Sequence, residues 1–306
     1  MTVDHEASPV RAAGLLPALR VAFLVAVVVF AWLGLRGRLD EVGDALRDTS
    51  VPGVAAALGL VLLGLAGTGL LWRHLMSALG APLPWRAGLA LFFVGQLGKY
   101  IPGSVWSLGA QAQMAGRHAV PARTTVTVGL LFLGYHVATG VVAGAFVVLL
   151  GGLEAPWPRW VSVLALVCSL LTVTPPVVRA AGRAVAGRQV RVGWADTGLV
   201  LALMAATWTA YALALVLLSP GLPWQHVAAY GGAFALAYAV GVVVVIAPAG
   251  VGAREALFVL LLAPVTTVAG ATALALLARV VHAGADGLMA AGWWALARRR
   301  SAVPKP

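Results

Sequence analysis

The chain has 306 residues, 61% of them hydrophobic and only 10% charged, with a mean hydropathy of +0.95. A soluble domain is nearer half apolar and a quarter charged, so this balance, with its repeated apolar runs of about 18 residues or more, excludes an ordinary globular protein. The net charge of +11 falls in short loops between apolar runs, which points to membrane topology and away from nucleic acid.

In chain order, a short tail (1–16) precedes a first span over 17–35, too long and too poor in cleavage signals for a secretory leader. Loop 36–52 sets three Arg against Asp40, Glu41, Asp44 and Asp48, and a span follows at 53–72. Loop 73–86 carries Arg73 and Arg86 and leads to an apolar segment, 87–115, interrupted by Pro102-Gly103. Loop 116–123 carries Arg117 and Arg123, span 124–150 follows, and loop 151–159 holds Glu154 and Arg159. A span over 160–178 contains the single cysteine, Cys168, read as a small core residue; one cysteine forms no intramolecular disulfide and no zinc set. Loop 179–196 is rich in Arg, span 197–218 follows, segment 226–263 is interrupted by "APAGVG", and a last span covers 266–297 before the basic tail 298–306.

The positive-inside rule orients these pieces. Loops 73–86, 116–123 and 179–196 and both termini read as cytoplasmic; loops 36–52 and 151–159 read as external. Of the 21 basic residues, 14 fall inside, 4 outside and 3 (Lys99, Arg254, Arg279) at membrane depth. Segment 87–115 then begins and ends on the cytoplasmic side and segment 226–263 on the external side. The expectation is six spans plus two opposed re-entrant hairpins in one membrane domain. The alternative is that 226–247, long enough to cross by itself, is a full span.

The two interrupted segments also correspond. "LPW" precedes each, at 83–85 and 222–224, and a Pro/Gly break divides each, "IPGSVW" and then "APAGVGARE". Half-repeats over about 17–150 and 160–297, inserted in opposite senses, form an inverted repeat, an arrangement of transporters in which broken helices meet at a central site. Non-helical backbone at that depth is tolerated only in protein or along a wet cavity, and a helix starting after a break offers free N–H groups and a positive dipole end to an anion. Gly103, Gly250 and Gly252 permit close backbone approach. Packing kinks in ordinary spans are the plainer account of each break.

Charge at depth is costly and is by default paired or functional. Lys99 stands just before the first break, Arg254 and Glu255 just after the second, and Arg279, His282 and Asp286 share one face of the last span. Pairing of Glu255 with Arg254, Lys99 or Arg279, and of Asp286 with His282 or Arg279, leaves three bases against two acids and a net positive interior. Gln96, Gln111, Gln113 and His282 complete the expected polar interior. His136 reads as a hydrogen-bonded interior residue, Gly140-x-x-x-Gly144 as a close helix contact, and most Trp as an interfacial belt. No P-loop, HExxH or GxSxG is present, and neither a metal set nor a cofactor motif appears.

The stretches "GQLGKYIPGSVW" (95–106) and "PAGVGAREALFVLLL" (248–262) resemble those of the lysylphosphatidylglycerol synthase transmembrane region family, also called flippase-like domain proteins. The resemblance extends over roughly residues 15–297. Pro248, Gly250, Gly252, Arg254 and Glu255 match the family's Pro-x-Gly-x-Gly-x-Arg-Glu pattern, and Lys99, Tyr100, Pro102, Gly103 and Trp106 match one branch's first motif. Where many relatives carry a charge shortly after the first break, Gln111 and Gln113 stand here. The resemblance implies movement of a lipid between leaflets of the cell membrane by a stand-alone member without the synthase domain. Lys99, Arg254 and Arg279 are expected to contact the head-group phosphate, with Glu255 and Asp286 orienting them or pairing with a lipid amine. Membrane lipids are the expected partners. The alternatives are a non-transporting subunit that docks a glycosyltransferase or lipid synthase, and, last, a membrane-embedded lipid-modifying enzyme.

Overall fold

Ser50 and Pro52 start a long helix. The Ser50 hydroxyl accepts the Gly53 N–H at 3.1 Å, satisfying a donor that the first turn leaves open, and Pro52 sits where no N–H is needed. In the computed structural model, which describes residues 40, 43, 44, 47–100, 106–187, 189–219, 224–243 and 252–299, this helix is α1, Val51–Ala78. It is followed by α2 (Trp85–Gln96), a 3-10 turn (Leu97–Tyr100), α3 (Trp106–Gly116), α4 (Ala122–Leu149), α5 (Arg159–Thr172), α6 (Pro175–Ala186) and α7 (Trp194–Leu218). A 3-10 turn (Trp224–His226) then opens onto α8 (Val227–Val243), and α9 (Ala253–Leu262) and α10 (Val268–Arg298) complete an all-helical chain among the described residues.

Among the described residues five helices are each long and apolar enough to cross a membrane: α1, α4, α7, α10 and Trp224–Val243, the last being α8 with its leading turn. Four of these match expected spans, and the fifth is the first limb of the expected second hairpin. By length, therefore, 226–247 fits a full crossing as well as a hairpin limb. The expected span 17–35 lies outside the described residues. At 1.5 Å per residue α2, α3 and α9 reach only about 15–18 Å, well short of a hydrocarbon core of about 30 Å.

The expected span 160–178 is bent in the middle, its two helices being long and apolar enough for a crossing only when taken together. Its helix stops at Thr172, and α6 leaves at 65° to α5. Pro175 supplies the reason, since it lacks an N–H and its ring blocks the preceding turn, so the helix must restart there. Of α5 only Ser162 is buried, and Cys168, expected in the core, is exposed on this outer helix.

Lipid tails are as apolar as leucine, so helices in a membrane associate through close packing rather than water exclusion. α8 is built for this: Ala229, Gly232, Ala233, Ala235, Ala237, Ala239 and Gly241 are all buried. Gly140 and Gly144 of α4 face it so closely that an added Cβ would lie 2.9 Å from the Ala235 carbonyl and 2.8 Å from that of Gly232. The expected close contact thus acquires its partner. α1 and α7 run antiparallel, tied by Thr49 to Leu218 O at 3.4 Å, Thr207 to Gly64 O at 3.3 Å, and His74 Nε2 against Asp196 Oδ1 at 3.0 Å.

The packing is reciprocal: α2 lies against α10, α8 against α4, and α3 and α9 each bridge their own break helix to the next long one. At one end of the bundle, Arg73 Nη1 donates to Leu83 O at 2.9 Å, Arg191 N to Ala78 O at 3.0 Å, and Arg123 Nε to Val185 O. These contacts gather the start of α2 and the residues just after α3 at the same end.

Candidate functional site

Lys99 closes the 3-10 turn after α2, and Asp286 lies on the buried face of α10. Their side chains meet with Nζ 2.6 Å from Oδ2, and the Tyr100 hydroxyl donates to the same Oδ2 at 2.6 Å. An isolated carboxylate here would cost several kcal/mol, so two donors on one oxygen hold it in place. Gly98 allows the turn to sit there: a Cβ on it would lie 2.7 Å from Ser107 N, at the start of α3. The turn before the first break is therefore tied to both α3 and α10.

The second break leads into Gly252, whose φ of +88° falls where glycine is favoured. Glu255, three residues on, accepts the Gly252 N–H with Oε2 at 2.7 Å and caps α9. Its other oxygen, Oε1, accepts from Arg279 Nη1 of α10. Arg254 pairs differently. Its guanidinium carbon stands 4.6 Å from the Phe234 ring centroid and 5.1 Å from that of Tyr238, a double cation–π contact with α8. Among the described residues neither a carboxylate nor any hydrogen-bond acceptor is bonded to it.

Of the expected pairings, Glu255 with Arg279 is present, whereas Asp286 pairs with Lys99 instead of Arg279 or His282. The expected excess of one base over the acids resides on Arg254. Gln96 lines a cavity of about 20 Å³ between Lys99, Asp286, Tyr211, Tyr238 and His136, room for about one water and not for a head group. Gln111 is buried and accepts from Trp72 Nε1 at 3.0 Å, a contact that joins α3 to α1. Gln113 is corrected: it lies on the exposed side of α3, one turn being too short to bury both residues of an i, i+2 pair. Trp106 opens α3 with an exposed ring. Pro102, Gly103, Pro248 and Gly250 lie outside the described residues.

His282 stacks on Tyr211 and Phe234 at 4.9 and 5.2 Å, its Nδ1 2.8 Å from Ala278 O. His136 is interior as expected, but among the described residues neither ring nitrogen has the expected hydrogen-bond partner. Sequence reasoning missed Phe234, Tyr238, Tyr211 and the Tyr100 hydroxyl. Their signal is faint, aromatic residues in apolar helices being ordinary core. Among the described residues no three His, Cys, Asp or Glu side chains are grouped as metal ligands.

Helices of this length and apolarity around a polar interior define a multi-pass membrane protein. Residues 19–285 match the family described as "Lysylphosphatidylglycerol synthase TM region", and the chain belongs to that family of flippase-like membrane proteins. No curated protein matches the chain in sequence.

Proposed function

We propose that this protein moves a phosphate-bearing lipid, a phospholipid or polyprenyl phosphate, between membrane leaflets, and that Arg254 is the anchor for its head group. The observation that carries this is charge balance. Lys99 and Arg279 are each in an ion pair with a carboxylate, while among the described residues Arg254 lies against the Phe234 and Tyr238 rings and forms no such pair. A guanidinium presents a planar fork that fits a phosphate, and one unmatched positive charge suits one phosphodiester. The cavities beside Arg254 and Lys99 are small, at about 10 and 20 Å³, so entry of a head group requires the helices around them to separate. The return of α2–α3 to one end of the bundle supports hairpins that open in turn, the alternating access of inverted-repeat transporters. Lys99 and Arg279 join the phosphate as their pairs open, with Glu255 and Asp286 as their resting partners. On this reading the protein has no catalytic step and sits in the plasma membrane with both termini cytoplasmic.

The test is translocation of fluorescent phosphatidylglycerol and of a labelled polyprenyl phosphate in proteoliposomes. Arg254→Ala is expected to reduce the rate at least about tenfold, the value of about 1.4 kcal/mol for one charge-assisted contact. Wild-type rates in Arg254→Ala remove the anchor. Absence of movement of either lipid, with a stoichiometric protein partner retained through purification, favours the docking subunit instead.

A further inference from the structure

His136 lies on the face of α4 toward the same small cavity as Lys99 and Asp286. The residue is only 2% exposed, and among the described residues neither ring nitrogen has a hydrogen-bond partner. It is wedged between rings, 5.2 Å from Phe132, 5.3 Å from Trp208 and 5.0 Å from Tyr238. A buried polar group without a partner is costly, and in the interior of a membrane protein such a residue marks a relay or transport path by default. The titratable groups facing it are Lys99 from the turn after α2, Asp286 from α10, Tyr211 from α7 and Tyr238 from α8; α1 contributes only Leu65 and Thr68 to the cavity wall.

The resting charges around it are balanced. Lys99 occupies Asp286, and a second positive charge on His136, across the same small cavity, would be repelled. The balance changes when Lys99 turns to another anion. Asp286 then lacks a counter-cation and keeps only the Tyr100 hydroxyl, facing the His136 imidazole across a space that holds about one water. We infer that His136, the cavity beside it and Asp286 form a proton-binding site that is occupied when the Lys99–Asp286 pair opens. A proton arrives through cavity water, binds one imidazole nitrogen and places an imidazolium opposite Asp286 where Lys99 stood. When Lys99 returns, the proton leaves to water. Anion and proton therefore enter together, and lipid movement is coupled to a proton gradient. This coupling rests on the lipid-transport reading; the proton site itself does not.

Two readouts separate these layers. The first is tryptophan emission, because a protonated imidazole quenches an indole in contact and Trp208 is that indole. In Lys99→Met, which frees Asp286, emission is expected to fall between about pH 8 and 5, and the fall is lost in Lys99→Met/His136→Gln and in Lys99→Met/Trp208→Phe. The second is translocation of fluorescent phosphatidylglycerol in vesicles with an imposed pH gradient: wild type responds to the gradient and His136→Gln does not. Folding of each variant is checked by its elution profile and thermal midpoint. If wild type moves no probe but the His136-dependent fall persists, the proton site stands and the lipid reading with that probe fails. Emission curves unchanged by His136→Gln overturn the proton site, and a probe rate that ignores the gradient overturns the coupling.

Discussion

Glu255 shows how one side chain serves local and distant structure together. One carboxylate oxygen caps α9 at Gly252 and the other binds Arg279 across to α10. Removing one member of such a pair leaves the other without its counter-charge, whereas removing both leaves only apolar packing to adjust. Glu255→Gln and Arg279→Gln are each expected to destabilise the protein by about 1–3 kcal/mol, the pair being partly exposed, and the double variant by less than the sum of the two. Thermal unfolding of the four proteins in one detergent checks this; an additive double variant means the pair contributes nothing. At this scale much was legible in the sequence. Charged residues in apolar runs are conspicuous, and Lys99, Arg254, Glu255, Arg279 and Asp286 come together around the breaks. Their partners were not legible. Tyr100 and Asp286 are 186 residues apart, and only the packing of α2 on α10 decides that Lys99 reaches Asp286. His136 was misread for the same reason: its sequence neighbours say nothing of the rings from α7 and α8 that surround it.

Among elements, the contact between α4 and α8 bears most directly on the site, because α8 presents Phe234 and Tyr238 to Arg254 while α4 carries His136. That contact depends on backbone approach at Gly144. A Cβ there would already fall 2.8 Å from the Gly232 carbonyl, an atom that cannot turn aside as a side chain can. Gly144→Leu is expected to push α8 outward, destabilise the protein by about 1–3 kcal/mol or more, and lower transport. Gly134→Leu on the same helix meets open space and serves as the control. The measurement is the thermal midpoint of each variant, and equal midpoints for the two remove the contact from the account. Hydropathy alone marked α1, α4, α7 and α10, since length and apolarity are local properties. The bend before α6 has a local signal too, Pro175-Pro176, but the apolar run around it hid the break. The exposure of Cys168 could not be read from sequence, because an apolar residue in a membrane helix faces protein or lipid equally well.

For the whole molecule, the reciprocal packing of α2 on α10 and α8 on α4 is what two related halves would produce when interlocked. It also supports a specific topology. The residues before α2 and after α3 are joined through Arg73, Arg191 and Arg123 to the end of α1, the end of α6 and the loop before α7. On the proposed orientation, with the basic loops on the cytoplasmic side, α2–α3 is expected to enter and leave by that face. The opposite end, where Thr49 meets Leu218 and Arg159 Nη2 donates to Leu149 O at 2.6 Å, is then external. Single cysteines in a Cys168→Ser background read this out at exposed positions. An impermeant maleimide is expected to label Arg47→Cys and Glu154→Cys on intact cells, but Arg86→Cys and Arg117→Cys only after permeabilisation. The last two carry the decision. Labelling of Arg86→Cys and Arg117→Cys from opposite sides would make α2–α3 a crossing and remove the first hairpin, whereas labelling of both from the cytoplasm leaves Lys99 on a loop that enters the membrane and returns, as the proposed transport path requires.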